Sequence, residues 1–533
     1  MGPTLRAGHA LVLLAGFYLL SLILLVALGA LDWAAFTWTT GPVALKLSVL
    51  SIVLAIPIAR GALMLRTPKG DGMAGLPVDE SAEPRLWATV RELAQSIGTR
   101  APDEILLTGE VNAAVGEDTR FLGLVGGRRR LYIGLPLMAS LSEAQLRAVL
   151  AHEMGHYGNA DTRLGAITAR GRIQVIRTIG HFQERSDKSV AKERARQEEK
   201  AAKAVANGRK AKEVHTAGAG ISYRAMAAVY TAYAKLYIRA TLSGARRAEL
   251  AADAAAARIA GREATASALR ELPALHEAHD FYMDAYATLG VGAGLLPPPG
   301  QVFGGVRQLL AARTDELDEL RRRLPSQPSS PYDSHPSIAE RVALIEALPD
   351  DRRAAEGRDS ALLFLRDPDA TFTALEGAVL SEQTHRLSRA GSWQELLESS
   401  MRAGLATADP PLRRALAQYT GQEPTVAALL RVIDEGRLGR LTDLLPLSAE
   451  ASAATGRARS EFARPALRAG LHQMALAQLA ADSRLAWEFS WRETAAARLP
   501  AGPDGRPADL DTALDAALRT APDTAPLRAL LTH

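Results

Sequence analysis

The sequence predicts a mainly α-helical chain with a small β-sheet. Two membrane-spanning helices come first, a mixed α/β core follows, and a helical C-terminal part ends the chain. Three observations carry this. Residues 7–31, AGHALVLLAGFYLLSLILLVALGAL, contain no Asp, Glu, Lys or Arg and are long enough to cross a bilayer as a helix. Short apolar runs at 104–108, 121–125 and 129–133 read as strands. From 346 to 480 the chain is rich in Ala, Leu and Arg at helical spacing, with breaks near 367–370, 405–411 and 422–424.

Length and charge bound the rest. A chain of 533 residues holds two or three domains. The net charge of +4 is spread thinly, so nucleic-acid binding is not expected. There is no cysteine, which removes disulfides and thiolate chemistry.

The first apolar stretch reads as a span, the alternative being a cleaved signal peptide with ALGA as its cleavage site. A second span is expected at about 43–65. Its uncharged centre, Leu47 to Ala59, is short, so Lys46 and Arg60 must reach to opposite interfaces. Arg60, Arg66 and Lys69 follow it, while Asp32 lies in the loop before it. The positive-inside rule then puts the N-terminus and the large C-terminal part in the cytoplasm. The expected organisation is a membrane anchor at 1–66, a core domain at 67–345 opening on a polar linker at 67–82, and a helical domain at 346–533.

Within the core, RRLYI at 129–133 reads either as an edge strand on which an extended peptide pairs or as an inner strand. The stretch LRAVLAHEMGHYGNAD, 146–161, holds His152, Glu153 and His156 in the pattern H-E-x-x-H. Ser142 and Gln145 fit a capping box ahead of it. Leu146, Val149 and Leu150 supply a helical stripe, and Gly155 and Gly158 are stop signals. Four-residue spacing sets both imidazoles on one helix face, where they can share a zinc ion, with the glutamate beside a water on that ion. With only 11 histidines in the chain, chance gives this pattern at a rate of roughly one per cent.

Catalytic zinc takes three protein ligands, and here the third must be His, Glu or Asp. In SGARRAELAADAAAARIAG, 243–261, Glu249 and Asp253 share a helix face, with Gly261 as a stop. Glu249 could complete the site and Asp253 could accept the ring N–H of a ligand histidine. The alternative is a surface helix whose carboxylates are solvated or paired with Arg246 and Arg247. The many alanines would let this helix pack closely on the first.

H-E-M-G-H-Y, the later E-x-x-x-D and DSHPSIAER at 333–341 together resemble the membrane-bound zinc metallopeptidases of the HtpX and CAAX-prenyl-protease type, which are gluzincins. EPRLWATVRELAQSIG (83–98), EVNAAV (110–115) and LYIGLPLMASLSEAQLRAVLAHEMGHY (131–157) are also similar to the stretch leading into that family's zinc helix, and the likeness covers roughly 80–345. The resemblance implies a zincin-type α+β core holding one Zn2+ per chain on His152, His156 and Glu249, with Glu153 as general base and Asp253 behind the ligands. It also implies a role for His335 near the substrate or the developing oxyanion; the alternative is a surface-loop histidine. Ser337 and Glu340 fit a second capping box just after His335-Pro336.

One departure stands out. Arg163, Arg170, Arg172 and Arg177 interrupt 163–183, where larger family members place a further span. The charged insert 184–213 reads as an exposed helix or a mobile loop. ISYRAMAAVYTAYAKLYIRATL, 221–242, reads as a buried or membrane-surface helix. GLLPPPGQVFGG, 294–305, reads as a loop beside the cleft. A hairpin is expected at 485–500 and a last helix at 508–518.

The expected function is that of a membrane-anchored zinc metalloendopeptidase acting on protein or peptide substrates at the bilayer, as in quality control. The C-terminal helices are expected to serve a partner protein or regulation. The rival functions are a non-catalytic membrane-tethered scaffold and a processing protease for lipidated C-termini.

Overall fold

The computed structural model describes residues 3–63, 74–120, 125–157, 162–206, 215–216, 218–326, 335–350, 359–446, 448, 454, 456–499 and 509–532. Gly158 and most of the strand expected at 121–125 lie outside these residues. The fold is mostly helical, and chain contacts divide it into two units: residues 1–276 with 318–368, and residues 277–317 with 369–533.

The first unit begins with two apolar helices, α1 (Pro3–Trp38) and α2 (Gly41–Leu63), which pack together. Among the described residues, only α1 has a stretch, Ala15–Trp38, long and apolar enough to cross a membrane; the apolar part of α2, Gly41–Ile56, is shorter. Their apolar side chains are widely exposed, including Leu22, Ile23, Val26, Trp33, Val49 and Ile52.

A four-stranded sheet comes next, from β1 (Leu76–Val78), β2 (Glu104–Thr108), β3 (Ala113–Arg120) and β4 (Val125–Gly134), with α3 (Pro84–Ile97) between β1 and β2. The spatial order is β1-β2-β4-β3. β4 therefore lies inside the sheet, parallel to β2 and antiparallel to β3. This corrects the edge-strand reading of 129–133: Ile105 pairs with Leu131 on one side and Val115 with Leu131 on the other. Leu131 and Ile133 are fully buried, as a strand with neighbours on both sides requires. The edges are β1 and β3. At the end of β4 the backbone passes so close to Glu110 that a Cβ on Gly134 would lie 1.7 Å from the Glu110 carbonyl oxygen. Gly134 has an ordinary φ of −70°, so the demand there is for space alone.

Helix α4 (Leu135–Ser140) leads into α5 (Glu143–Gly155). The expected capping box forms in both directions: Gln145 N–H donates to Ser142 Oγ at 3.2 Å, and Ser142 N–H donates to Gln145 Oε1 at 2.9 Å. Helix α6 (Thr162–Ala206) is 45 residues long and absorbs the described part of the charged insert as an exposed helix. Lys188 pairs with Glu184, and Lys203 with Glu199 at 2.6 Å, both at i,i+4 spacing. Helix α7 (Ile221–Ala260) runs antiparallel to α1: Leu13 meets Tyr233 and Ser21 meets Tyr230. Phe17, Val175, Phe182, Ala227, Tyr230 and Ala234 form one cluster there, so 221–242 is buried along one face. α7 ends at Gly261 with φ +103°, the expected stop.

The second unit has its own core of Leu412, Leu416, Leu429, Leu430, Ile433, Leu467, Leu471 and Leu514 among others. Its helices Trp393–Thr407, Pro411–Thr420 and Val426–Asp434 respect the breaks read from the sequence. Strands Ala486–Glu488 and Ala496–Arg498 make the hairpin, and Leu510–Ala517 the late helix; Ala525–Thr532 is one more, unforeseen. The loop expected at 294–305 is partly ordered structure: Leu295–Leu296 pairs with 388–389, and Gln301–Gly304 is a helical turn. The buried Glu376 carboxylate makes that turn possible by accepting from the N–H groups of Gly300 at 3.1 Å and Val302 at 2.6 Å.

Candidate metal centre

Helices α5 and α7 bring the site together. Gly155 of α5 faces Ala252 of α7, and a Cβ on Gly155 would lie 3.3 Å from Ala252 Cα. Two small residues at the crossing let the backbones close, so that Glu249 reaches the histidines of α5. Gly155→Leu should force the helices apart and weaken zinc binding on the order of tenfold, the scale seen when a supporting contact is lost. A zinc titration of this variant, with all ligands intact, checks the point.

One donor atom each from His152, His156 and Glu249 lies within 4.8 Å of the others. His152 Nε2 and Glu249 Oε2 are 3.6 Å apart, as are His156 Nε2 and Glu249 Oε1. Donors at about 2.0–2.2 Å from a common tetrahedral ion stand roughly 3.4 Å apart, so the two histidine–glutamate separations suit a shared metal ion, while the set as a whole spans up to 4.8 Å. Glu249 Oε2 is buried without an aligned hydrogen bond, although His335 Nδ1 approaches to 2.8 Å. The surface-helix alternative does not hold: Glu249 is 7% exposed and Asp253 2%.

Behind the donors, His152 Nδ1 lies 2.9 Å from Asp253 Oδ1. Asp253 in turn accepts from Arg341 Nε at 2.8 Å and Arg341 Nη2 at 2.7 Å, not from Arg246 or Arg247. Arg341 was not singled out by the sequence reading, although it closes the quoted DSHPSIAER. The one available signal was a basic residue on the apolar face of the short helix Ile338–Glu346, beside Val342 and Ile345. Ser337 Oγ accepts the Glu340 N–H at 3.2 Å and starts that helix, making the first bond of the second expected capping box. His335 sits just before it, half-exposed, and touches the glutamate of the donor set.

The electrostatics follow from burial and these contacts. Burial alone would lower the His152 imidazole, but the Asp253 and Glu249 carboxylates beside it win and raise it to about 9. Burial lowers His156 to about 4, with His152 adding to the effect. The Glu249 carboxyl resists burial because His152 and His335 hold it well below the usual range. Asp253 likewise is lowered by Arg341 and His152 against burial. Burial raises Glu153 to about 7, with His152 opposing. A carboxylate poised near neutrality next to the donor set is suited to taking and returning a proton.

An H-E-x-x-H helix met by a glutamate from a second helix defines a metallopeptidase. The chain belongs to peptidase family M48, whose pattern it matches over residues 80–348. It is 27% identical over 148 residues to a protease HtpX homolog of Janthinobacterium sp. (strain Marseille), covering 26% of this chain and 45% of that protein. A protease HtpX homolog of Herminiimonas arsenicoxydans is 26% identical over 148 residues, covering 26% of this chain and 48% of the relative. The chain thus spans about half the length of the curated relatives it matches. No solved structure matches it.

Proposed function

We propose that this chain is a membrane-anchored, zinc-dependent endopeptidase with the zincin-type arrangement. The observation that carries the proposal is the convergence of His152, His156 and Glu249, with Glu153 alongside. A zinc ion held by the three would supply the positive charge that polarises a scissile carbonyl and makes a water a better nucleophile. Glu153 accepts the proton of the attacking water and returns it to the leaving amine. Asp253, clamped by Arg341, fixes the ring of His152. His335, beside Glu249, would steady the oxyanion as it forms. An extended substrate would pair with the free edge of β3, beside the zinc helix. Removal of metal by a chelator should abolish peptide hydrolysis, and stoichiometric zinc should restore it. Full activity in metal-free protein would defeat the proposal.

In this reading residues 1–66 anchor the chain, with α1 and α2 as the two spans, residues 67–345 carry the chemistry, and residues 346–533 serve a partner protein or regulation. The substrates are proteins or peptides near the bilayer, as in quality control. The exposed apolar faces of α1 and α2 support the anchor. The charge around α2 supports cytoplasmic termini. A reporter fused to the C-terminus should therefore be active only inside the cell, and activity only on the outer side would reverse the topology.

A further inference from the structure

Among the described residues, the outer edge of β3 is interrupted at one point, and Tyr157, in the turn just after α5, makes the interruption. Antiparallel strands alternate between pairs that exchange hydrogen bonds and pairs whose N–H and C=O groups point away from each other. Gly134 N–H donates to the Asn112 carbonyl at 2.8 Å, which fixes the phase. In that phase Ala114 and Gly116 bond across to β4, while Ala113, Val115 and Glu117 turn their main-chain groups to the open edge. The partner strand agrees: Arg129, opposite Glu117, turns away from β3, its N–H and C=O both bonded to Asp103.

At that open edge the Tyr157 hydroxyl donates to the Val115 carbonyl at 2.7 Å. The phenolic oxygen therefore stands where the nitrogen of a paired strand would stand, at the usual hydrogen-bond distance. Tyr157 is held firmly in this position. Its ring lies under the Arg129 guanidinium, 4.6 Å from the ring centroid. Its carbonyl accepts from Thr99 Oγ1 at 3.3 Å, and its N–H bonds to Met154 at 2.9 Å. Among the described residues, no other group bonds to the outward main chain of Ala113 or Val115. Beyond Glu117 the register is broken by a bulge between Glu117 and Thr119.

We propose that Tyr157 is a specificity-determining stop: it ends the substrate-pairing edge at Val115 and leaves both main-chain groups of Ala113 and the N–H of Val115 to hold the peptide. This rests on the peptidase reading above. The enzyme then grips only a short stretch of extended backbone on this edge. Substrate residues past Val115 gain nothing from the sheet, so recognition there falls to side chains or to the membrane.

The test is a set of host peptides lengthened one residue at a time at either end, cleaved by full-length zinc-loaded protein, by Tyr157→Ala and by Tyr157→Phe. The alanine clears the position beside the Val115 carbonyl, whereas the phenylalanine removes the hydroxyl but keeps a ring that still bars a strand. In the wild-type protein and in Tyr157→Phe kcat/KM should level off early at one end. In Tyr157→Ala the gain from further residues at that end should continue, by about two- to tenfold for the one hydrogen bond released. Binding of the same peptides to Glu153→Gln and to Glu153→Gln/Tyr157→Ala, read by fluorescence anisotropy, should show the same difference without turnover. Identical length profiles in the wild-type protein and Tyr157→Ala would overturn the proposal. So would a uniform loss at every length accompanied by a lower melting temperature, which marks a packing residue. Failure of the wild-type protein to cleave any peptide would sink the peptidase reading instead.

Discussion

Replacing Glu153 by glutamine is expected to leave zinc at one per chain and to slow peptide hydrolysis by about 10²–10⁴-fold, the usual share of a general acid–base. The three donors belong to other residues, so the metal should stay. Glutamine has the shape of glutamate but no basic oxygen, so proton transfer from water fails. Glu153 suits this role because burial raises its carboxyl to about 7, where it can both accept and release a proton. Cleavage by the variant at the wild-type rate, with zinc confirmed, would remove Glu153 from the mechanism.

Glu249→Ala and Asp253→Ala should separate a ligand from its support. Loss of Glu249 takes away one of three donors and should abolish both tight zinc and activity. Loss of Asp253 leaves the donors but frees the His152 ring, for which a loss of about 10–100-fold in affinity or activity is expected. The second change also leaves the Arg341 guanidinium buried without its carboxylate, so some loss of stability should accompany it. Zinc stoichiometry of the two purified variants, measured side by side, decides the matter. Full, tight zinc in Glu249→Ala would move the third ligand elsewhere, and His335, 2.8 Å from Glu249, is the first residue to try.

Local features of this chain were legible because their causes are local. The capping box at Ser142 depends on residues three apart, and it forms as read. The breaks between the helices of the second unit follow from Pro and Gly in the chain itself. The H-E-x-x-H spacing needs only one helix to put two imidazoles on one face, and their ring centroids lie 4.8 Å apart. The small residues of α7 announced a close helix contact, and Gly155 against Ala252 is that contact.

Other features depend on partners far along the chain. Nothing in RRLYI distinguishes an inner strand from an edge; β4 is inside because β3 returns along one side and β2 lies on the other. The helical turn at Gln301–Gly304 exists through a carboxylate more than seventy residues away, so its Pro- and Gly-rich sequence read as loop. Arg341 drew no notice in the sequence, because its partner Asp253 lies 88 positions away. The sequence by itself determined the helices, their caps and the pair of histidines, because short-range sterics and hydrogen bonds suffice for these. Only the tertiary structure decided which carboxylate meets the histidines, which strands form the edges of the sheet and which backbone carbonyl Tyr157 reaches. Each of those depends on backbones brought together by burial of apolar surface, and burial is a property of the whole unit.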